Sequence, residues 1–172
     1  MSGKNSAIVG KANELITLGL LLPEYPDTML SAHEQSSHDL IITMRNQVPT
    51  SKKTHVSIRA QVKTAQTSIS FTGGNRGGVD RNYDPRVNES KQYSYSLDNS
   101  DIVIGIHKVD FGAYELYFVP SAVIEKINQK SIAVSKIAFT KNKLEYIKKC
   151  AHLEPSALVD EYLVQLEGAA RK

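Results

Sequence analysis

The sequence predicts a mixed α/β domain in which helices at both ends of the chain flank one central sheet. Apolar residues recur at helical spacing over residues 6–21, whereas apolar and polar residues alternate over residues 54–64, as they do in a half-buried strand. The segment Ile102–Ile106 is a nearly continuous apolar run, which is typical of a central strand covered on both faces. Helix, strands, helix, strand and helices in that order fit a single mixed sheet.

The first half of the chain predicts a helix followed by a strand hairpin. The helix has a broad apolar face and ends before Pro23, because proline cannot continue it. The polar segment 46–53 has the composition of a turn, so the strands on either side of it are expected to pair. The elements predicted here are a helix over 6–21, a loop over 22–37 and strands over 38–45, 54–64 and 67–71.

The second half predicts another hairpin and a helical C-terminus. The segment Asp110–Ala113 has the residues of a tight turn, and apolar runs lie on both sides of it. Pro120 suits the first turn of a helix, and Thr140 suits the N-cap of a later one. The elements predicted here are strands over 102–106, 114–119 and 131–139 and helices over 120–129, 140–151 and 155–166.

Composition limits the protein class. A chain of 172 residues with 41% hydrophobic and 23% charged residues predicts one globular domain over 1–172. The single cysteine, Cys150, excludes an internal disulfide and a thiolate zinc site, so we expect an intracellular, cytoplasmic protein. A net charge of +3 is compatible with nucleic-acid binding. No apolar stretch approaches the ~20 residues that span a bilayer, so no membrane partner is expected.

Polar residues on the first predicted hairpin carry the functional signal. Asp39 stands at the head of one strand, and Gln61 and Lys63 lie two residues apart near the end of the other, so they share a face with Arg59. A hairpin folded inside the predicted turn places Asp39 opposite Val62. Carboxylate, amide and ammonium groups then converge, and such a group can hold a divalent cation and a lysine against a phosphodiester.

These residues resemble the PD-(D/E)XK, or restriction-like, nuclease superfamily, in particular its small intron-encoded homing endonucleases. The first half of the pattern is His38-Asp39, without the proline, and the second is Gln61-Val62-Lys63, with glutamine in place of the acid. The resemblance covers roughly residues 8–120. It implies a restriction-endonuclease-like mixed sheet flanked by helices, with a core over about 6–130 and a C-terminal strand and helices over 131–172.

The resemblance also implies a metal-dependent endonuclease that hydrolyses double-stranded DNA in homing or restriction. The cofactor would be Mg²⁺, with Mn²⁺ as a substitute, and Lys63 would assist the attack on the phosphate. Metal ligands would come from Asp39, Gln61, the Val62 carbonyl and Glu14, because superfamily members often carry a glutamate on their first helix. Cutting both strands requires two active sites, so a homodimer or homotetramer is expected.

A glycine-rich segment suggests where DNA would bind. Residues 73–78 contain four glycines but lack the Gly-Lys-Ser/Thr ending of a phosphate loop, so nucleotide binding is rejected. Flexible glycines followed by basic residues favour contacts with DNA phosphates or base edges. The basic residues predicted to bind DNA are Arg59, Arg76, Arg81, Arg86 and Lys91.

Each of these assignments has an ordinary structural alternative. Asp39 would then be a turn or strand-edge acid, Lys63 and Gln61 surface residues of a strand, and Glu14 a solvated helix residue. The glycine-rich segment would be an exposed loop. At the level of the whole protein, the alternative is a non-catalytic nucleic-acid-binding or assembly protein on the same fold.

Overall fold

A computed structural model describes residues 3–32, 37–45, 55–74 and 92–170 of the chain. The first part contains α1 (Gly3–Leu21), β1 (Met29–Leu30), β2 (Leu40–Arg45), β3 (His55–Thr64), β4 (Ser68–Ser70) and β5 (Thr72–Gly74). The second part contains β6 (Gln92–Ser94), β7 (Ile102–Asp110), β8 (Ala113–Pro120), α2 (Ser121–Ile127), β9 (Ser131–Ala133), a 3₁₀ helix (Val134–Thr140), α3 (Glu145–His152) and α4 (Pro155–Ala170).

The centre of the fold is a five-stranded mixed sheet with the strand order β1-β2-β3-β7-β8. β2 and β3 are antiparallel, β3 and β7 run parallel, and β7 and β8 form an antiparallel hairpin. Two small two-stranded sheets, β4-β9 and β5-β6, accompany it. The predicted fold class, a mixed α/β sheet flanked by helices with further helices at the C-terminus, is confirmed.

β7 lies between β3 and β8, and this position explains its sequence. Its first five residues, Ile102–Ile106, are all buried, because a strand covered on both faces has no side exposed to water. The aromatic side chains of Phe139, Tyr146 and Tyr162 pack edge to face beside the sheet, with ring centroids 5.0–6.5 Å apart. The C-terminal helices are thereby fixed to the core.

The two predicted hairpins both form, with a small difference in the first. Leu40 lies opposite Ala60, so the register places Asp39 opposite Gln61. The prediction placed it one residue further along, opposite Val62. At the second hairpin, the turn at Phe111 and Gly112 connects β7 to β8 as expected. Gly112 has a φ of 75°, a left-handed backbone conformation that glycine adopts without strain.

The strand predicted over residues 131–139 is wrong beyond Ala133. Only Ser131–Ala133 pairs as a strand, and a 3₁₀ helix follows. Thr140 ends that helix and does not cap α3: its hydroxyl donates to the Ile137 carbonyl at 2.9 Å and accepts from the Phe118 N–H at 3.2 Å. The bond from Phe118 ties the end of the 3₁₀ helix to β8, and α3 begins only at Glu145.

Two shorter elements differ from prediction. β1 lies within the predicted loop, where Met29 and Leu30 pair with β2 at the edge of the sheet. The strand predicted over 67–71 is β4, but it pairs with β9 and not with the main sheet. Among the residues that the structure describes, no helix is long and apolar enough to cross a membrane.

Candidate active site

Asp39 is held at the point where β2 begins. Its backbone N–H donates to the Ala60 carbonyl at 2.9 Å, and its carbonyl accepts from the Ser31 N–H at 2.8 Å. Its side chain turns towards β3, where Oδ2 accepts the Val62 N–H at 2.7 Å. Because β2 has no residue in register with Val62, the carboxylate takes the place of a strand partner. β2 therefore begins at the point where the Asp39 side chain replaces a backbone partner of Val62.

Gln61 lies beside this carboxylate. Its Nε2 donates to Asp39 Oδ2 and approaches the Val62 carbonyl at 3.4 Å. The side chain is 8% exposed, and its contacts are therefore with protein groups. A ligand role would require the amide oxygen to face a cation held between it and the carboxylate, and a half-turn of the terminal amide would bring the oxygen to that side. In the observed orientation, Gln61 fixes the direction of Asp39.

Lys63 is the next residue on the same face of β3. Its ammonium nitrogen lies 5.0 Å from the ring centroid of Tyr95, a cation–π contact with a buried aromatic residue. Burial lowers the pKa of Lys63, and the nearby charge of Asp39 opposes that shift. The lysine is thus a partly desolvated cation close to the Asp39 carboxylate, as the predicted site requires.

Helix α1 closes the site from the other side. The Asn13 amide donates to the Thr64 hydroxyl at 2.8 Å, which fixes the middle of α1 over the end of β3. Glu14 follows Asn13, and its carboxylate is 2.8 Å from the ammonium of Lys11, one helical turn earlier. The negative charge of Glu14 raises the pKa of Asp39. The structure therefore brings together Glu14, Asp39, Gln61, Val62 and Lys63.

The pKa of Asp39 reports this environment. It is raised from its ordinary value of 3.8 to about 6, first because burial penalises the charged carboxylate. Glu14 raises it further, whereas the Val62 hydrogen bond and the charges of Lys63 and Lys11 lower it. A cation bound beside Asp39 would favour the ionised form of its carboxyl group.

The available ligands decide which cation fits. No group of three or more His, Cys, Asp and Glu side chains comes together among the described residues, so these residues do not form a zinc centre. Two carboxylates, a backbone carbonyl and an amide remain. Mg²⁺ needs no more, because it keeps several waters and also binds substrate phosphate oxygens. The residues present therefore fit Mg²⁺ or Mn²⁺.

Arg59 has a different environment from the one predicted. Its guanidinium forms a bidentate pair with Asp101, at 2.9 and 3.2 Å, and also donates to the carbonyls of Leu97 and Asp98. Four of its five N–H groups are thus used within the protein. Its contact with DNA stays a prediction. The four other basic residues predicted to bind DNA lie outside the described residues: Arg76, Arg81, Arg86 and Lys91.

Three residues near the site were not predicted from the sequence. The contact of Lys11 with Glu14 could have been predicted, since the two residues are three apart on one face of a helix. Asn13 and Tyr95 had none, because their partners Thr64 and Lys63 are distant in sequence. Tertiary contacts alone bring them to the end of β3.

Comparison with known proteins gives one informative likeness. No family model matches the chain, and no curated protein matches it. The solved structure of a bacterial homing endonuclease, I-Ssp6803I, superimposes with a TM-score of 0.56 at 15% sequence identity, covering 90% of this chain and 99% of that one. At this identity, the likeness shows a shared fold over nearly the whole length. The chain therefore has the fold of a homing endonuclease.

Proposed function

We propose that the protein is a metal-dependent endonuclease that hydrolyses phosphodiester bonds in double-stranded DNA. The observation that carries this proposal is the convergence of Asp39, Gln61 and Lys63 with Glu14 at the end of β3. The shared fold with I-Ssp6803I supports it, since that protein is a homing endonuclease. The site is a variant of the PD-(D/E)XK pattern in which Gln61 stands at the second acidic position.

Each residue has a distinct task in this proposal. Asp39 and Glu14 would hold Mg²⁺, and the Val62 carbonyl and Gln61 would complete the protein ligands. The metal would lower the pKa of an attacking water and neutralise charge on the phosphate. Lys63 places its ammonium group where negative charge grows on the phosphate oxygens in the transition state. The ring of Tyr95 keeps that ammonium in place.

The alternative function is a non-catalytic nucleic-acid-binding or assembly protein. Gln61 favours it, because an amide in place of a carboxylate removes one negative charge and so weakens metal binding. Glu14 offsets this loss in the nuclease proposal, since it supplies a second carboxylate from α1. The two functions differ in one outcome, metal-dependent strand cleavage.

The test is digestion of a plasmid library with and without Mg²⁺, followed by sequencing of the ends. We expect wild-type protein to cut in Mg²⁺ or Mn²⁺, and Asp39→Ala to bind DNA in Ca²⁺ without cutting. Asp160→Ala is the matched control, because Asp160 is exposed on α4. DNA binding without cleavage in either metal would leave the non-catalytic function. Cleavage by Asp39→Ala at the wild-type rate would exclude this metal site.

A further inference from the structure

Arg59 holds a short turn of the protein against β3. The turn comprises residues 96–101, between β6 and β7, and we call it the 96–101 turn. The Arg59 guanidinium donates to the carbonyls of Leu97 and Asp98 at 2.5 and 3.0 Å. It also pairs with the Asp101 carboxylate, whose Oδ2 accepts the Arg59 backbone N–H at 2.7 Å. One side chain therefore binds the turn at three of its residues.

Hydrogen bonds within the 96–101 turn keep it in one shape. The Asn99 side-chain oxygen accepts the Ser96 N–H at 3.0 Å, and the Ser96 carbonyl accepts the Asn99 backbone N–H at 3.1 Å. The Leu97 N–H donates to the Glu125 carboxylate of α2 at 2.9 Å. Because its own backbone groups are bonded in this way, the position of the turn depends on its anchors to α2 and, above all, to β3.

Tyr95 directly precedes this turn, and its ring contacts Lys63. The ring centroid lies 5.0 Å from the Lys63 ammonium nitrogen, and the Tyr95 side chain is buried. Lys63 lies on the same face of β3 as Arg59, about 13 Å further along the strand. The contacts thus begin and end on one strand. Arg59 holds the turn, the turn places Tyr95, and the Tyr95 ring contacts Lys63.

The side of Lys63 that faces β7 is apolar. Gly105 is the residue of β7 in register with Lys63, and it has no side chain. The Ile69 side chain takes that space, since a Cβ added at Gly105 would lie 2.2 Å from Ile69 Cδ1. Glycine inside a strand marks such a close approach. In the described part of the chain, the groups that act on the Lys63 ammonium are the Asp39 carboxylate and the Tyr95 ring.

We propose that Arg59 is a positioning residue for Lys63, because it fixes the 96–101 turn so that the Tyr95 ring holds the Lys63 ammonium at the scissile phosphate. The proposal rests on the nuclease function proposed above, in which Lys63 stabilises charge on the phosphate. Arginine suits this task, since its planar guanidinium donates to a carboxylate and to carbonyls at once. A lysine side chain is flexible, so a fixed ring beside it restricts where its charge lies.

The competing role of Arg59 is direct contact with DNA. Four of its N–H groups already bind protein groups, and a phosphate contact would have to replace some of them. The two roles differ in what the loss of the guanidinium changes. Loss of a phosphate contact flattens the salt dependence of DNA affinity by about one unit. Loss of a positioning contact slows cleavage of bound DNA and leaves the affinity unchanged.

The first measurement needs neither metal nor DNA. Methylene protons that lie over an aromatic ring resonate upfield, so the Lys63 Cε protons can be followed by NMR of protein with isotope-labelled lysine. Lys63→Ala identifies the signal by its absence, and Tyr95→Leu gives its position without the ring. We expect Arg59→Met to move the signal towards that position. Lys148→Met, which removes an exposed cation paired with Glu24, should leave it unchanged.

The second measurement is the single-turnover cleavage rate at saturating DNA. We expect Arg59→Met to cut at least about 10-fold more slowly, because small misplacements of a reacting group slow catalysis strongly. Affinity and salt dependence in Ca²⁺ should stay those of the wild type. In the Lys63→Ala background the same substitution should cause no further loss, since Arg59 acts through Lys63.

A second variant separates positioning from general destabilisation. Arg59→Met leaves the Asp101 carboxylate without its guanidinium partner, which can weaken the fold. Arg59→Met combined with Asp101→Asn removes both charges, and it should show the same change in the Lys63 signal and in the cleavage rate. Thermal unfolding would show that the variants are folded at the temperature of both measurements.

The outcomes distinguish this proposal from the nuclease function. An unchanged Lys63 signal in the folded Arg59 variants would overturn the proposal, and so would rate losses that add to that of Lys63→Ala. A flattened salt dependence with an unchanged cleavage rate would make Arg59 a DNA contact and would also overturn it. If the wild type cuts no DNA, the nuclease function fails, and the Lys63 signal alone decides whether Arg59 positions Lys63.

Discussion

Replacing Asp39 with asparagine should make the metal-free protein more stable while it abolishes cleavage. The Asp39 carboxylate is partly buried beside Glu14, and its pKa of about 6 means that the fold disfavours its charge. Asparagine has nearly the same shape and keeps an oxygen that can accept the Val62 N–H and the Gln61 amide. The substitution thus removes the unfavourable charge and preserves the hydrogen bonds.

The magnitude and its pH dependence follow from the pKa. Between pH 3.8 and about 6 the native state of the wild type binds more protons than the unfolded state, so its free energy of unfolding falls as pH rises through this window. The interval corresponds to about 3 kcal/mol. Partial exposure of the carboxylate reduces this, and the second amide proton of asparagine needs a partner, so we expect a gain of about 1–2 kcal/mol at neutral pH.

The assay is urea unfolding of both proteins over a range of pH, without divalent metal. The free energy of unfolding of the variant should exceed that of the wild type above about pH 6. The difference should vanish below about pH 4, where Asp39 is protonated in both the native and the unfolded state. Adding Mg²⁺ at neutral pH should stabilise the wild type and leave the variant unchanged. The exposed Asp160→Asn variant should show no such pH-dependent gain. A constant difference at every pH, or a variant less stable at neutral pH, would refute the reasoning.

Three further predictions concern the site and its DNA contacts. Lys63→Ala should lose roughly 10²-fold or more in cleavage rate with little change in DNA binding in Ca²⁺. If the variant loses affinity and keeps its cleavage rate, Lys63 binds DNA and has no catalytic role. Gln61→Glu should keep activity or change the preferred metal, and unchanged metal dependence of both Gln61→Glu and Gln61→Ala would place Gln61 outside the ligands. Alanine substitution of a base-reading arginine should cost roughly 1–3 kcal/mol at one base pair, whereas a phosphate contact should flatten the salt dependence by about one unit. We expect the first effect at one or more of three arginines, and wild-type binding by all three alanine variants would show that this segment of the sequence does not contact DNA: Arg76, Arg81 and Arg86.

Local patterns in the sequence were enough for the central elements. The alternation of β3 and the apolar run of β7 identify strands because half-buried and fully buried strands leave different patterns. Both hairpins were predictable, since turn composition and short separation along the chain determine which strands pair. Asp39, Gln61 and Lys63 could be selected as a group for the same reason: they lie on the two strands of one hairpin.

The region after β9 shows where local patterns fail. Alternation over 131–139 predicts a strand, but Ile132 and Ile137 are the buried residues, and the second lies in a 3₁₀ helix. The Thr140 hydroxyl bonds to β8, an element about 20 residues earlier, and that contact replaces the cap role expected from its residue type. A bond to a distant strand therefore decided the local structure.

The sequence by itself determined the mixed sheet, the pairing of the first hairpin and the three polar residues that it brings together. Only the tertiary structure decided the rest of the site. It placed Asp39 beside Gln61, packed Asn13 of α1 against Thr64, and put the ring of Tyr95 under Lys63. It also engaged Arg59 with Asp101, 42 residues away. Contacts within a hairpin can be predicted from the periodicity of the sequence, because they join neighbouring segments of the chain. Contacts between distant segments cannot, because they depend on how helices and loops pack against the sheet.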